Sequence, residues 1–445
     1  MSTPLLIDGG VGHVAQHIHT APEETTAARR LLPTTRSQVS GHRFMRRRVE
    51  HGLIYGDIRM IHDPLAARRR SAIFGVVAVA LIAAGSGLFA WLRPNPDPGA
   101  AAILRAGDGA MYVRVGETVH PVTNLTSARL IAGSPEDAQR VGEERLAEMP
   151  RGVPLGIDTA PAMFAPGDAK DVAWSACQDG KERVTVIAGE PLAELGQGRA
   201  LVVAQGEDEW LLTQHGRAKL PPADNARGRI IRRALGVDAS VARAQVSAPV
   251  LSAIRELPPV SVPDPLPRLL LTEGSGDAWA VTQHGGIQPV TPLQKQVLID
   301  TAAPTSTTSP SEIAAYPDAQ VPLDINIPEE APEWVEPDGK AVCVNETGAV
   351  AVVNAGSGAL TTGAVELSGD SPATHFAGLA AGAVGVDTGS GYHVVSASGQ
   401  RHVAEEKETL NIVGAARVDS APWSIISLLP EGPELTRDAA LTATY

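Results

Sequence analysis

Hydrophobic residues are spread very unevenly along this chain. Residues 72–92 read AIFGVVAVALIAAGSGLFAWL, 21 positions without a charge. A helix of that length spans about 30 Å, the hydrocarbon thickness of a bilayer. No other stretch approaches it, so the pattern predicts one transmembrane helix over 72–92. A cleaved signal peptide fits poorly, because the apolar run is too long and about 70 residues precede it. Gly75, Gly85 and Gly87 make part of the helix surface small, which suits close approach of a partner helix.

Upstream, residues 1–36 mix Gly, Pro, Thr and charge without a period and predict a disordered tail. From residue 37 a helical period sets in. Met45, Val49 and Leu53 recur at i, i+4 and i+8, Ile54, Ile58 and Ile61 extend the apolar surface, and Arg43, Arg46, Arg47 and Arg48 load the other side. This predicts an amphipathic juxtamembrane helix over 37–66, stopped by Asp63-Pro64.

Downstream the pattern changes to short apolar runs separated by glycine-rich turns. Four stretches share one order: ILRAGDGAMYVRVGETVHPVTNLTSARLIAG from Ile103, LVVAQGEDEWLLTQHGRAKLPPADNARGRIIRRALG from Leu201, LLLTEGSGDAWAVTQHGGIQPVTPLQKQVLIDT from Leu269, and AVGVDTGSGYHVVSASGQRHVAEEKETLNIVG from Ala383. Each opens on an apolar strand and a Gly/Asp/Glu turn. A second strand begins near an aromatic residue (Tyr112, Trp210, Trp279, Tyr392). A turn at Gly116, Gly216, Gly285 or Gly399 leads to a third strand and then a helix. Such a unit cannot bury its own apolar face, so it predicts packing on something shared. The apolar runs at 171–177, 183–189 and 340–355 supply that as one central sheet.

The expected fold class is therefore a single-pass membrane protein with an α+β, mostly β outer domain: four strand-turn-strand-helix repeats around a central β-sheet. The boundaries read as repeats at 101–165, 201–250, 265–302 and 380–430. The core sheet falls in two parts, 171–200 and 340–368. An extended connector rich in Pro, Ser, Thr and acid occupies 303–339, and a C-terminal tail 431–445.

Charge sets the orientation. Residues 1–70 hold 11 basic and 6 acidic residues, whereas the remainder holds 26 basic and 44 acidic. Arg68, Arg69 and Arg70 abut the apolar run on its N-terminal side and Arg93 stands alone on the other, which places the N-terminus in the cytoplasm. The basic tail suits an anionic inner leaflet, and the acidic exterior argues against nucleic acid.

Chemistry is sparse. The two cysteines, Cys177 and Cys343, both fall on the outer side, where thiols pair. Two cysteines with no neighbouring histidines do not make a thiolate zinc site. No GxxxxGK[ST] phosphate loop and no HExxH helix occurs. The run from Val386 to Gly391, VDTGSG, resembles an aspartic-protease loop, with Asp158 as a second candidate carboxylate. It occupies the first-turn slot of a repeat, so a hairpin turn is the expectation. His215 and His284 occupy equivalent turns of two repeats and read as duplication rather than a metal pair. No catalytic, cofactor or metal residue is assigned.

Taken in order, several segments resemble the EccB family, membrane components of the type VII (ESX) secretion systems of actinobacteria. They are TTRSQVSGHRFMRRRVEHGLIYGDIRMIHDPL (34–65), MYVRVGETVHPVTNLTSARLIAGSP (111–135), Arg151-Gly152 with Leu155-Gly156-Ile157, and WSIISLLPEGP (423–433). One departure is Asp158-Thr159, where the family usually has Pro-Gly. The resemblance implies a part in an inner-membrane assembly with EccC, EccD and EccE, in which EccC supplies the motor and the EccB periplasmic domains hold neighbouring protomers together. It also implies a disulfide at Cys177 and Cys343. The repeats resemble a phage lysin's wall-binding module, which keeps peptidoglycan binding open. Family members are often named ATPases, although this sequence offers no nucleotide motif to carry that activity.

Overall fold

A computed structural model describes residues 35–56, 58, 59, 64–91 and 96–444. The chain divides into two compact units, residues 1–94 and 95–445. The tail expected at 1–36 lies almost wholly outside the described residues.

The first unit holds two helices. Arg36–Tyr55 starts on a capping box, Thr35 receiving the Gln38 amide while the Gln38 side chain receives the Thr35 amide. It ends at Gly56, whose φ of 68° places it in the left-handed region, with its amide donating to Gly52 O at 3.1 Å. The juxtamembrane helix is thus shorter than the 37–66 expected. The glycine cap stops it well before Asp63-Pro64, and Pro64 instead opens the next helix, where a missing N–H goes unneeded. That second helix, Pro64–Trp91, begins eight residues ahead of the expected position 72. Its 22-residue stretch Arg68–Phe89 is long and apolar enough to cross a membrane, and none of it is buried within the chain.

The second unit is built from five sheets. The central one has six strands, in the order Val350–Asn354, Lys340–Asn345, Ala173–Asp179, Val184–Gly189, His375–Ala377, Val365–Glu366. The last five residues of the 171–177 run, the 183–189 run and the 340–355 run all contribute; the strand at 375–377 falls beyond the segments singled out from sequence. In the other four sheets three antiparallel strands are followed by a helix. A fourth strand then returns parallel to the first: Gln139–Arg140 beside Ile103–Arg105, Arg243–Gln245 beside Arg199–Gln205, Thr305–Thr308 beside Arg268–Thr272, and Val418–Ser420 beside Val384–Asp387. These return strands are short and polar, so no hydrophobic alternation marks them in the sequence.

Packing explains why the sheets need one another. One face of the central sheet carries Trp174, Ala176, Val184, Val186 and Val344. It buries Leu201, Val203 and Leu212 of the second peripheral sheet and Val384, Val386 and Val395 of the fourth. The opposite side of the second sheet, with Ala200, Val202 and Leu211, meets its own helix at Ile231 and the third sheet's helix at Val297 and Leu298. Likewise Ile103, Val113 and Ile131 of the first sheet share a core with Val394, Leu410 and Val413 of the fourth. The second sheet is therefore apolar on both faces, which accounts for the continuous Leu-Val-Val run. Each fully buried Leu or Val contributes about 1.5–3 kcal/mol. The second hairpin turn of the fourth sheet presses onto the centre: a Cβ on Gly399, at φ +82°, would lie 2.5 Å from Phe376 Cβ.

Two further expectations need correcting. The connector at 303–339 is not merely extended, because Thr305–Thr308 completes the third sheet and Glu333–Trp334 adds an edge strand to the second. Its Ser/Thr/Pro composition hides a β-branched strand. Residues 431–444 are not a loose tail either. Leu435 and Ala440 are fully buried in the first and fourth sheets' shared core, and Arg437 Nε donates to Ile131 O at 3.1 Å.

Two polar devices hold the domain in register. Cys177 and Cys343 stand directly opposite on neighbouring strands and are bonded, with Cα atoms 4.0 Å apart and a sequence separation of 166. Glu209 sits between Arg232 of the second sheet's helix and Arg243 of its return strand, bonding both. Burial pushes the Glu209 carboxyl up, but the two arginine hydrogen bonds outweigh it and hold the group below its ordinary value of 4.5.

Replacing both cysteines (Cys177→Ala with Cys343→Ala) should lower unfolding stability by up to about 5 kcal/mol, the chain-entropy figure for a loop of this length. Urea unfolding of the detergent-solubilised chain reads this directly, and an unchanged midpoint would contradict it. Glu209→Gln should cost about 2 kcal/mol near neutral pH. A depressed folded-state carboxyl stabilises above its unfolded value and loses that contribution as pH falls through the folded one. Parent and variant should therefore converge in acid; a gap that persists there would show that the carboxylate charge is not the cause.

Candidate functional site

The residues with the chemistry to attract attention prove to be turn-formers. Asp387 Oδ1 accepts the Gly389 amide at 2.8 Å and Thr388 Oγ1 donates to Gly391 O at 2.9 Å, closing the first hairpin of the fourth sheet. Asp158 is exposed in a turn whose neighbours are tied elsewhere: the Ile157 amide to Ser127 Oγ, and Thr159 O to His402. His215 and His284 are exposed at corresponding turns, His215 beside Gln214 at 3.0 Å. Among the described residues no group of three or more His, Cys, Asp or Glu side chains is placed to hold a metal ion.

The buried polar groups missed in the sequence are structural. Arg417 and Asp419 form a bidentate pair at 2.7 and 3.0 Å, with both side chains buried at the edge of the fourth sheet. Burial raises the Asp419 carboxyl against the pull of Arg417. His402 is fully buried, with Nδ1 2.8 Å from Pro433 O and Nε2 3.1 Å from Thr159 O. It thus bridges the fourth sheet to segments on either side, and burial lowers its pKa. Trp423 stacks on His393 at 5.1 Å between ring centroids, under the Arg401 guanidinium at 5.0 Å, which bonds Glu431. Burial and Arg401 together lower the His393 pKa. Trp423 was visible beforehand only as the first residue of the 423–433 segment; its cross-strand partners carry no local sequence signal.

Unsatisfied surface is instead concentrated in the first unit. Along Arg36–Tyr55, Phe44, Met45, Val49, Leu53 and Ile54 are all more than half exposed. The apolar helix that follows is exposed along its described side chains. Two helices with exposed apolar side chains are suited to contact a membrane or a partner.

Comparison with known proteins agrees. Residues 31–266 and 269–444 match the family described as type VII secretion system ESX-1, transport TM domain B. The chain is 30% identical over 490 residues to the ESX-3 secretion system ATPase EccB3 of Mycobacterium tuberculosis, covering 92% of this chain and 89% of that protein. It is 31% identical over 481 residues to the protein of the same name from Mycolicibacterium smegmatis, covering 92% and 90%. Among solved structures it is similar to a chain of an intact ESX-5 inner membrane complex, with a TM-score of 0.65, 27% identity, and coverage of 94% and 97%. It is also similar to the EccB3 dimer from the ESX-3 core complex, with a TM-score of 0.63, 26% identity, and coverage of 77% and 100%. The match runs through the tail helix, the apolar helix and the large domain together, and the chain belongs to the EccB family of type VII secretion components.

Proposed function

We propose that this chain is a structural and assembly component of an inner-membrane type VII secretion complex. The observation that carries this is the extent of the likeness: a solved relative similar over 94% of this chain sits in an inner membrane complex, and another is a dimer. In this reading the stretch Arg68–Phe89 crosses the membrane once, residues before it are cytoplasmic, and residues after Trp91 form a periplasmic scaffold. The four peripheral sheets are four copies of one strand-turn-strand-helix unit around the central sheet, and the domain's role is to join neighbouring protomers. The partners are EccC-, EccD- and EccE-like subunits and further copies of this chain.

ATP hydrolysis is the competing reading, favoured by the relatives' names. Against it stands the sequence, which contains no phosphate-binding loop. Wall-polymer binding by the exposed hairpins is a third activity compatible with the scaffold.

Co-extraction separates these readings. With the large domain removed after residue 95, the remaining membrane piece should fail to bring down a second tagged copy of the chain, while the full chain succeeds. The purified full chain should release phosphate from ATP at background rate. Activity that persists through repurification and vanishes with a single substitution in the large domain would overturn the purely structural assignment.

A further inference from the structure

The helix Arg36–Tyr55 carries five arginines against one glutamate; Ala226–Ala234, with four arginines and no acid, is comparably basic but packs Ile231 into the core of the large domain. Arg46 is paired with Glu50 at 3.0 Å. Among the described residues, Arg36, Arg43, Arg47 and Arg48 have no carboxylate partner. On a helix at 100° per residue, Arg36, Arg43 and Arg47 fall in one line. Met45, Val49 and Leu53 form a second line roughly 140° away. Leu53 is 81% exposed, Val49 58% and Met45 55%, so the apolar line is open to its surroundings. Eight residues separate this helix from the start of the apolar one at Pro64. Fully extended, they reach no further than about 30 Å.

We infer that this helix lies along the bilayer surface, its Met45–Val49–Leu53 line in the acyl boundary and its arginines on anionic lipid headgroups. The inference deepens the membrane topology proposed above and rests on it. Two observations select lipid over a protein groove. Its charged side chains are five arginines and one glutamate, matching the anionic inner leaflet rather than the mixed charge of a typical protein rim. The tether also confines the helix to within a few nanometres of the bilayer whether or not a partner is present. Phe44 and Tyr55, 54% and 45% exposed, supply rings of the kind that settle at the headgroup level. Each arginine near an anionic surface favours the bound state by about fivefold.

The test uses the full chain in nanodiscs and amide hydrogen exchange over residues 43–53. In discs holding about a third phosphatidylglycerol these amides should exchange at least about tenfold more slowly than in pure phosphatidylcholine. The triple variant Arg43→Gln, Arg47→Gln, Arg48→Gln should lose that difference, and the same positions changed to lysine should keep it. Equal protection in both lipids would overturn the inference, as would protection that appears only when other secretion subunits are added. So would loss of the lipid difference in the lysine variant, since charge would then not be the cause. A nanodisc exposes both leaflets, so the result is independent of which side the tail faces. Thiol labelling of Ser40→Cys in intact cells tests that orientation separately.

Discussion

The pairing of Ala173–Asp179 with Lys340–Asn345 is the contact on which the large domain depends. The two strands are far apart in sequence; Val184–Gly189, between them, joins the same sheet, and the second and third peripheral sheets form a long excursion from it. Bringing such distant segments together is entropically costly in proportion to the logarithm of the loop. The Cys177–Cys343 bond removes much of that cost from the folded side of the balance, because the unfolded chain carries the same constraint. Once the strands meet, one face of the sheet is apolar and two peripheral sheets close over it; the remaining two pack on those. Loss of the central pairing would expose Trp174, Val344 and the inner faces of two further sheets at once.

The large domain is tied down by polar contacts as well as by packing. Its polar side chains close hairpins, cap helices or bridge segments, as Asp387, Asn124 and His402 do. The outer surfaces of the first and third sheets are covered by short local helices at Leu146 and Ile313, so those ends are finished rather than open. Beside the large domain, the described residues carry one helix apolar enough to span a membrane and one cationic amphipathic helix.

Much of this was legible in the sequence because it rests on local signals. The apolar helix needs only length and composition. The hairpins need only glycine at turns and aromatic or β-branched residues beside them. Other features escaped for physical reasons. The return strands at 139–140 and 243–245 are polar and two or three residues long, so their pairing is decided by the neighbouring strand rather than by their own pattern. The strand at 305–308 hides in a Pro/Ser/Thr-rich segment. Gly56 ends the tail helix although apolar residues continue past it, because a single left-handed cap outweighs periodicity. The Trp423, His393 and Arg401 cluster joins residues from three separate elements, and nothing in a linear reading brings them together.

On the proposed reading, the large domain works by joining copies of the chain within a membrane complex. Electron cryo-microscopy of the detergent-extracted complex tests it most directly. Density continuous between neighbouring large domains, with the apolar helices embedded in the detergent belt, is the expected result. Large domains that stand apart from one another and from every other subunit would contradict a scaffold role.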